Sequence, residues 1–197
     1  MQRIRRSPAL RRRRLFACAT AFVPVAVAAC SPGANLPALP DYNGRVYRLG
    51  GGDQVRIITF NVDQLSQTFR VNDSGNLALP LLGSVHAAGL TTGELGTRIA
   101  RELQRKSFVR DASVSVEVAE YRPVFVLGEV NKPGQYPYLP GMTALTAVAV
   151  AGGFTYRAVQ DYAEVVRSSG DTAMIGKVSP ESFIAPGDVV KVLEQRF

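Results

Sequence analysis

Beyond its first 45 residues the sequence predicts an α+β fold of two small units, 46–121 and 122–197, each a mostly antiparallel sheet carrying one packed helix. Short strand-like runs recur in both halves, and in the first they alternate with period two, as in Val114, Val116 and Val118 between Ser113, Ser115 and Glu117. Each half also holds one stretch with helix punctuation, opening at Thr91 in the first and at Thr143 in the second. Clusters of Gly, Pro, Asn and Asp separate these runs, so the turns are short and the helices stay apart from the strands.

In the first unit, residues 54–60 read as a strand with Val55, Ile57 and Thr59 on one face and Ile58 and Phe60 on the other. Residues 67–72 read as a second strand. Asp73-Ser74-Gly75-Asn76 is turn chemistry and Leu77-Ala78-Leu79 resumes the ladder, which predicts a hairpin between 67–72 and 77–79. Thr91 and Glu94 stand three apart, the spacing of a capping box, in which each side chain accepts the other residue's free backbone N–H. Leu95, Ile99 and Leu103 then form an apolar stripe opposite Arg98, Arg101 and Arg105, and the helix is expected to end near Lys106. Glu94 with Arg98 and Glu102 with Lys106 have favourable i,i+4 spacing. Val114–Val118 alternates as a half-buried antiparallel strand does.

In the second unit, 124–130 and 135–139 read as strands around the turn Asn131-Lys132-Pro133-Gly134. Pro133 fixes one turn dihedral and Gly134 permits the other, while Gly128 leaves room for a close backbone approach. Thr143 can cap a short helix over 144–151 that closes at Gly152-Gly153. Residues 162–167 and 188–193 supply the remaining strands. Gly52-Asp53-Gln54-Val55-Arg56-Ile57 is echoed by Gly187-Asp188-Val189-Val190-Lys191-Val192, which reads as a recurring turn into a strand.

The N-terminus has a different composition. Arg3, Arg5, Arg6 and Arg11 to Arg14 precede fifteen uncharged residues, Leu15 to Ala29. A basic head, a short apolar stretch and small residues at the cut describe a signal peptide, 1–29. A permanent membrane helix takes about 20 apolar residues, and Pro24 interrupts this one. Val27-Ala28-Ala29-Cys30 resembles the bacterial lipobox, which implies acylation of Cys30; an ordinary signal beside an incidental cysteine is the competing reading. Cys18 falls in the removed segment, so Cys30 has no disulfide partner. Residues 30–45, rich in Pro, Gly and Asn, read as a lipidated linker, a loose tether, and Ser31 after the cysteine fits an outer-membrane address.

Removing the signal changes the charge argument. The chain carries a formal +7, but seven of its 23 basic and none of its 16 acidic residues precede Cys30, so the mature chain is neutral. Nucleic acid is therefore not an expected partner. Arg98, Arg101, Arg105, Lys106 and Arg110 form the one basic cluster and read as a solvated helix face.

No catalytic pattern emerges. His86 is the only histidine, which leaves no zinc constellation and no Ser-His-Asp signature. Gly50-Gly51-Gly52-Asp53 precedes a strand rather than opening a helix, which is the wrong context for cradling phosphate. The sequence predicts neither an enzyme nor a cofactor or metal site.

Two further segments carry a resemblance. Tyr47-Arg48-Leu49-Gly50 leading to Gly52-Asp53-Gln54-Val55-Arg56-Ile57, with Leu79-Pro80-Leu81-Leu82-Gly83 and the helix after Thr91-Thr92, is similar to the export domain of the polysaccharide export family of outer-membrane lipoproteins, the Wza-like proteins. Val126-Leu127-Gly128-Glu129-Val130-Asn131-Lys132-Pro133-Gly134-Gln135-Tyr136, with 149–154 and Pro186-Gly187-Asp188, resembles the SLBB domain, a soluble-ligand-binding β-grasp. The resemblance implies an export domain over 46–121 and an SLBB domain over 122–197, both β-grasp-like, with Gly52, Asp53, Gly128, Pro133, Gly134, Gly187 and Asp188 shaping the fold. It also implies a ring-forming homo-oligomer, anchored through Cys30 in outer-membrane lipid and facing the periplasm. Such a ring would conduct a polysaccharide and work with an inner-membrane co-polymerase. The sequence ends at Phe197 without the C-terminal amphipathic helix of the best-known members, so passage through the outer membrane is expected to come from another protein. The rival from another class is a monomeric periplasmic glycan-binding lipoprotein, and a purely structural envelope lipoprotein is a third.

Cys30→Ser is expected to leave the protein unanchored. Membrane fractionation and the mass of the N-terminal peptide check this, and an unmodified thiol on a soluble wild-type protein would refute it.

Overall fold

Alternating apolar residues build the first sheet. The computed structural model describes residues 32–40, 42, 46–60, 62–109, 111–169 and 172–195; the signal peptide, Cys30, Ser31 and Arg110 lie outside them. Strand β1 (Gln54–Thr59) buries Val55, Ile57 and Thr59 and leaves Ile58 exposed, following the predicted alternation. It pairs antiparallel with β2 (Thr68–Arg70) on one side. After β3 (Asn76–Leu79), β4 (Gly83–His86) and helix α1 (Thr92–Arg105), strand β5 (Val114–Glu120) pairs antiparallel with the other side of β1. Helix α1 has the expected capping box: the Glu94 N–H donates to Thr91 Oγ1 at 3.2 Å, and the Thr91 N–H to Glu94 Oε2 at 2.8 Å. Its stripe of Leu95, Ile99 and Leu103 is wholly buried, each worth about 1.5–3 kcal/mol of apolar burial.

The predicted hairpin between 67–72 and 77–79 does not form. The turn itself is present, with the Gly75 N–H on Asn72 O at 2.9 Å. But β2 stays with β1, and β3 pairs antiparallel with β4, a strand absent from the sequence reading. Leu77, Leu79 and Val85 bring that second hairpin into the core with the stripe of α1, so burial decided which neighbour β3 pairs with. The reversal uses left-handed backbone at Leu81 (φ 64°) and Gly83 (φ 80°). The expected i,i+4 pairs are also replaced. Glu94, already turned toward the helix start by its cap, meets Arg48 at 3.2 Å, and Glu102 meets Arg105 at 2.6 Å.

The second unit has its own core, around Val124, Val126, Val165, Ile184 and Val190. Its strands are β6 (Val124–Gly128), β7 (Gly134–Tyr136), β8 (Ala163–Ser169), β9 (Thr172–Val178) and β10 (Val189–Val192), in sheet order β7-β6-β10-β8-β9. Only β10 with β6 is parallel. Helix α2 (Ala144–Val150) is capped by Thr143 and followed by left-handed Gly152 and Gly153. The α+β class is therefore what the chain adopts. Strand β9 escaped the sequence reading because its first four residues are exposed and Gly176 interrupts its pattern.

Two glycines behave unlike each other. At Gly128 (φ 85°) an added Cβ would lie 2.0 Å from Val192 O, across the parallel pair. Gly134 has no left-handed φ and simply opens β7, contrary to the turn role expected of it. The corner before it is closed by backbone bonds from Asn131 N–H to Gly153 O (3.1 Å) and Lys132 N–H to Ala151 O (2.8 Å).

The loose tether is also corrected over the residues described. Residues 32–40 run along β9: the Leu39 N–H donates to Lys177 O at 3.0 Å, and the Lys177 N–H to Pro37 O at 2.8 Å. Leu39 is buried in the second core. Gly176 lets this strap approach, since a Cβ there would meet Pro37 O at 2.8 Å. Proline and glycine suit an extended docked strand as well as a linker, so composition could not separate the two.

Gly128→Ala is expected to destabilise the protein by about 2 kcal/mol or more, from left-handed strain and the clash with Val192 O. Gly93→Ala, on an open face of α1 with nothing near its Cβ, should be neutral or stabilising by up to about 1 kcal/mol. Urea midpoints of the two variants check the contrast.

Candidate functional site at the joint between the units

The echoed Gly-Asp segments fold into the same turn. In each, the aspartate N–H donates to the carbonyl three residues back, Asp53 to Gly50 O (3.2 Å) and Asp188 to Ala185 O (3.1 Å). Each carboxylate in return accepts the backbone N–H of that same residue, Gly50 at 2.8 Å and Ala185 at 2.7 Å. Both carboxylates are almost wholly buried, and burial of a charge demands a partner. Asp188 takes Arg167, which donates from Nε at 3.0 Å and Nη2 at 2.8 Å. Arg167 also donates to Pro40 O at 3.1 Å and lies over the Tyr42 ring, so it fastens the strap to the second sheet.

Asp53 takes its partners from both units. Tyr47 Oη donates to Asp53 Oδ2 at 2.5 Å, the Arg122 N–H donates to Oδ1 at 3.0 Å, and Arg122 Nε stands 3.4 Å from Oδ1 as an ion pair. The Arg122 side chain covers Gly50 and Gly52, where a Cβ at Gly50 would come 2.6 Å from its Nη1, and its far side reaches Gly187. Gly187 is itself held by its N–H to Pro123 O at 3.1 Å. Burial, then the bond to Asp53, pushes the Tyr47 phenol far above the ordinary tyrosine range. Tyr121 stacks edge-on with Tyr47 (5.0 Å) and with Tyr138 (5.5 Å), an aromatic chain from one core to the other. Burial pushes the Tyr138 phenol up to about 12. With their oxygens committed to these bonds, Asp53 and Asp188 are placed for architecture rather than for proton transfer.

Beside this node a cleft of about 400 Å³ opens between the units. Arg70 and Glu120 line one wall; they sit at the ends of β2 and β5, both in register with Gln54 of β1. Gln135 and Tyr136 of the edge strand β7 line the other, with Tyr121 and Gly52 between. Arg70 and Glu120 were not singled out from sequence, and Gln135 and Tyr136 entered only as the end of the segment that resembles the SLBB domain. Arg70 and Gln135 lie far apart in the chain, and no local spacing signals a cleft that two sheets make together. Arg122 was missed as well; its position just before Pro123, at the boundary between units, was the available signal.

The other singled-out residues lie elsewhere. Arg98, Arg101, Arg105 and Lys106 form one wall of a groove whose opposite wall is Ser84 and His86 of β4, so this helix face is only partly the free surface expected. Arg98 donates to His86 O at 3.2 Å and Lys106 to Leu82 O at 3.0 Å. His86 Nδ1 lies 3.1 Å from Asn76 Oδ1. Pro133 is exposed at the β6–β7 corner. Among the described residues no three His, Cys, Asp or Glu side chains converge as metal ligands, and no helix is long and apolar enough to cross a membrane.

Asp53→Ala should cost about 3–5 kcal/mol, because it strands the Tyr47 hydroxyl, two N–H groups and a guanidinium. Arg122→Ala should cost less, since that side chain is partly exposed. In a denaturation double-mutant cycle the two losses are expected to be strongly non-additive; simple additivity would deny the coupling.

Comparison with known proteins places these two units. Residues 41–119 match the family "Polysaccharide biosynthesis/export protein", and residues 123–177 match the SLBB domain. The chain is 35% identical over 190 residues to the exopolysaccharide production protein ExoF of Rhizobium meliloti, covering 88% of this chain and 43% of ExoF. It is 31% identical over 134 residues to the EPS I polysaccharide export outer membrane protein EpsA of Ralstonia nicotianae, covering 54% of this chain and 34% of EpsA. It is 25% identical over 123 residues to the polysialic acid transport protein KpsD of Escherichia coli, covering 61% and 21%. The chain thus spans less than half the length of each of these relatives. With an export domain followed by an SLBB domain, it belongs to the Wza-like family of polysaccharide export proteins.

Proposed function

We propose that the protein is a non-catalytic component of a polysaccharide export route, acting as a ring-forming lipoprotein anchored through Cys30 at the periplasmic face of the outer membrane. The observation that carries this reading is the ordered pair of family domains, which together account for most of the described chain. The names of the relatives, an exopolysaccharide production protein and a polysaccharide export outer membrane protein, support the substrate class and the compartment. The docked strap supports the anchoring. Tyr162 Oη donates to Pro32 O at 2.7 Å, two residues from Cys30, so an acylated cysteine would hold the second unit close to the membrane surface. The polymer would pass through a passive, polar-lined ring, gated by an inner-membrane co-polymerase, with no cofactor and no covalent step.

Deletion of the gene is expected to abolish extracellular polysaccharide while its lipid-linked precursors are still made. Polymer assays on culture supernatant and membrane lipid fractions check this, and normal export by a deletion strain lacking paralogues would overturn the reading. Native mass spectrometry of the lipidated protein should give a closed oligomer, and a strict monomer would remove the ring.

A further inference from the structure

We propose that the cleft between the units is a saccharide-binding subsite for uncharged sugar rings, a reading that rests on the export function proposed above. A sugar ring presents flat C–H faces and rows of hydroxyls that both donate and accept. The cleft offers the complement of each. Tyr121 and Tyr136 are both half-buried, so each is fixed in place yet keeps ring surface toward the cleft. Tyr136 is further held by its hydroxyl on Lys132 O at 2.5 Å. Around them stand three planar polar groups: Arg70 with donors only, Glu120 with acceptors only, and Gln135 with both. Planar side chains of this kind can bridge neighbouring hydroxyls in a two-pronged fashion. The volume, about 400 Å³, lies in the range of small-ligand sites, which favour the seams between domains.

Charge sets the class. Arg70 and Glu120 offset one another, so the cleft carries no excess of either sign. The groove beside α1, with four cations against the single carboxylate of Glu102, is where a polyanion would go instead. The walls are also preorganised. Arg70 and Glu120 both stand opposite Gln54, whose amide donates to the Glu120 carboxylate, and the Asp53–Arg122 node fixes the seam below them. Preorganised walls reduce the ordering cost of binding, so even a short stretch of sugar can be held. Two tyrosines and three polar groups make a subsite that releases its ligand readily, as passage along a ring requires.

The test uses the lipidated mature protein in detergent. The probes are oligosaccharides released by partial acid hydrolysis of the strain's own extracellular polysaccharide, separated into neutral and acidic fractions. The chain contains no tryptophan and seven tyrosines, two of which line the cleft, so tyrosine emission is followed alongside calorimetry to measure binding. The neutral fraction is expected to bind. Arg70→Ala and Gln135→Ala, both at exposed positions, should each weaken binding by about tenfold without moving the thermal midpoint. Arg101→Ala, in the other groove, should leave binding unchanged. Three results would each overturn the subsite: neither fraction binds, binding persists in the Arg70 and Gln135 variants, or only the acidic fraction binds and Arg101→Ala abolishes it. Each of these can occur while gene deletion still blocks export, so failure of the subsite is distinguishable from failure of the export reading.

Discussion

A carboxylate stripped of water must be met by donors, and the way Asp53 is met determines how the two halves of this protein join. Gly50 and Tyr47 supply donors from the entry to the first sheet, and Arg122 supplies its backbone N–H and guanidinium from the start of the second unit. Neither half satisfies the charge completely. Once Arg122 is committed, its side chain needs the space that Gly50 and Gly52 leave and extends toward Gly187. At Gly50 it is this guanidinium that excludes a side chain, whereas Gly52 and Gly187 are called for by their left-handed backbone.

The same device is used a second time with a different outcome. Asp188 and Arg167 close a turn within the second unit, and the remaining nitrogen of Arg167 takes Pro40 O, where the strap meets the sheet. One buried aspartate thus joins unit to unit, and the other joins strap to unit. Buried pairs of this kind add little net stability over apolar packing, but they are costly to break and admit few alternative arrangements. For a protein proposed to stand in a ring above a membrane, fixing the angle between its parts matters more than raw stability.

This arrangement also explains where surface is available for a ligand. The two cores are separate apolar clusters, and the carboxylates of the Gly-Asp turns are committed to bonds. Apart from the groove along α1, what remains is the seam, where the ends of one sheet face the edge strand of the other. A cleft made there inherits the rigidity of both sheets while keeping polar side chains that neither core could accept. Its polar groups, Arg70, Glu120 and Gln135, are free to face solvent because the node, not they, holds the units together.

The sequence by itself determined the α+β class, the helix caps at Thr91 and Thr143, the buried stripe Leu95, Ile99 and Leu103, and the strands whose apolar residues alternate. These depend on neighbours within a few positions, which spacing records. It also displayed the Gly-Asp echo, though not what the aspartates hold. Only the tertiary structure decided that β3 pairs with β4, that β9 and the strap form one edge, and that Arg122 reaches Asp53. It likewise brought Arg70 and Gln135 to opposite walls of one cleft. The physical reason is common to all of them. Strand pairing and charge burial are selected among distant segments by whichever arrangement buries the most apolar surface and leaves the fewest donors unmet, and that choice leaves no periodic trace in the chain.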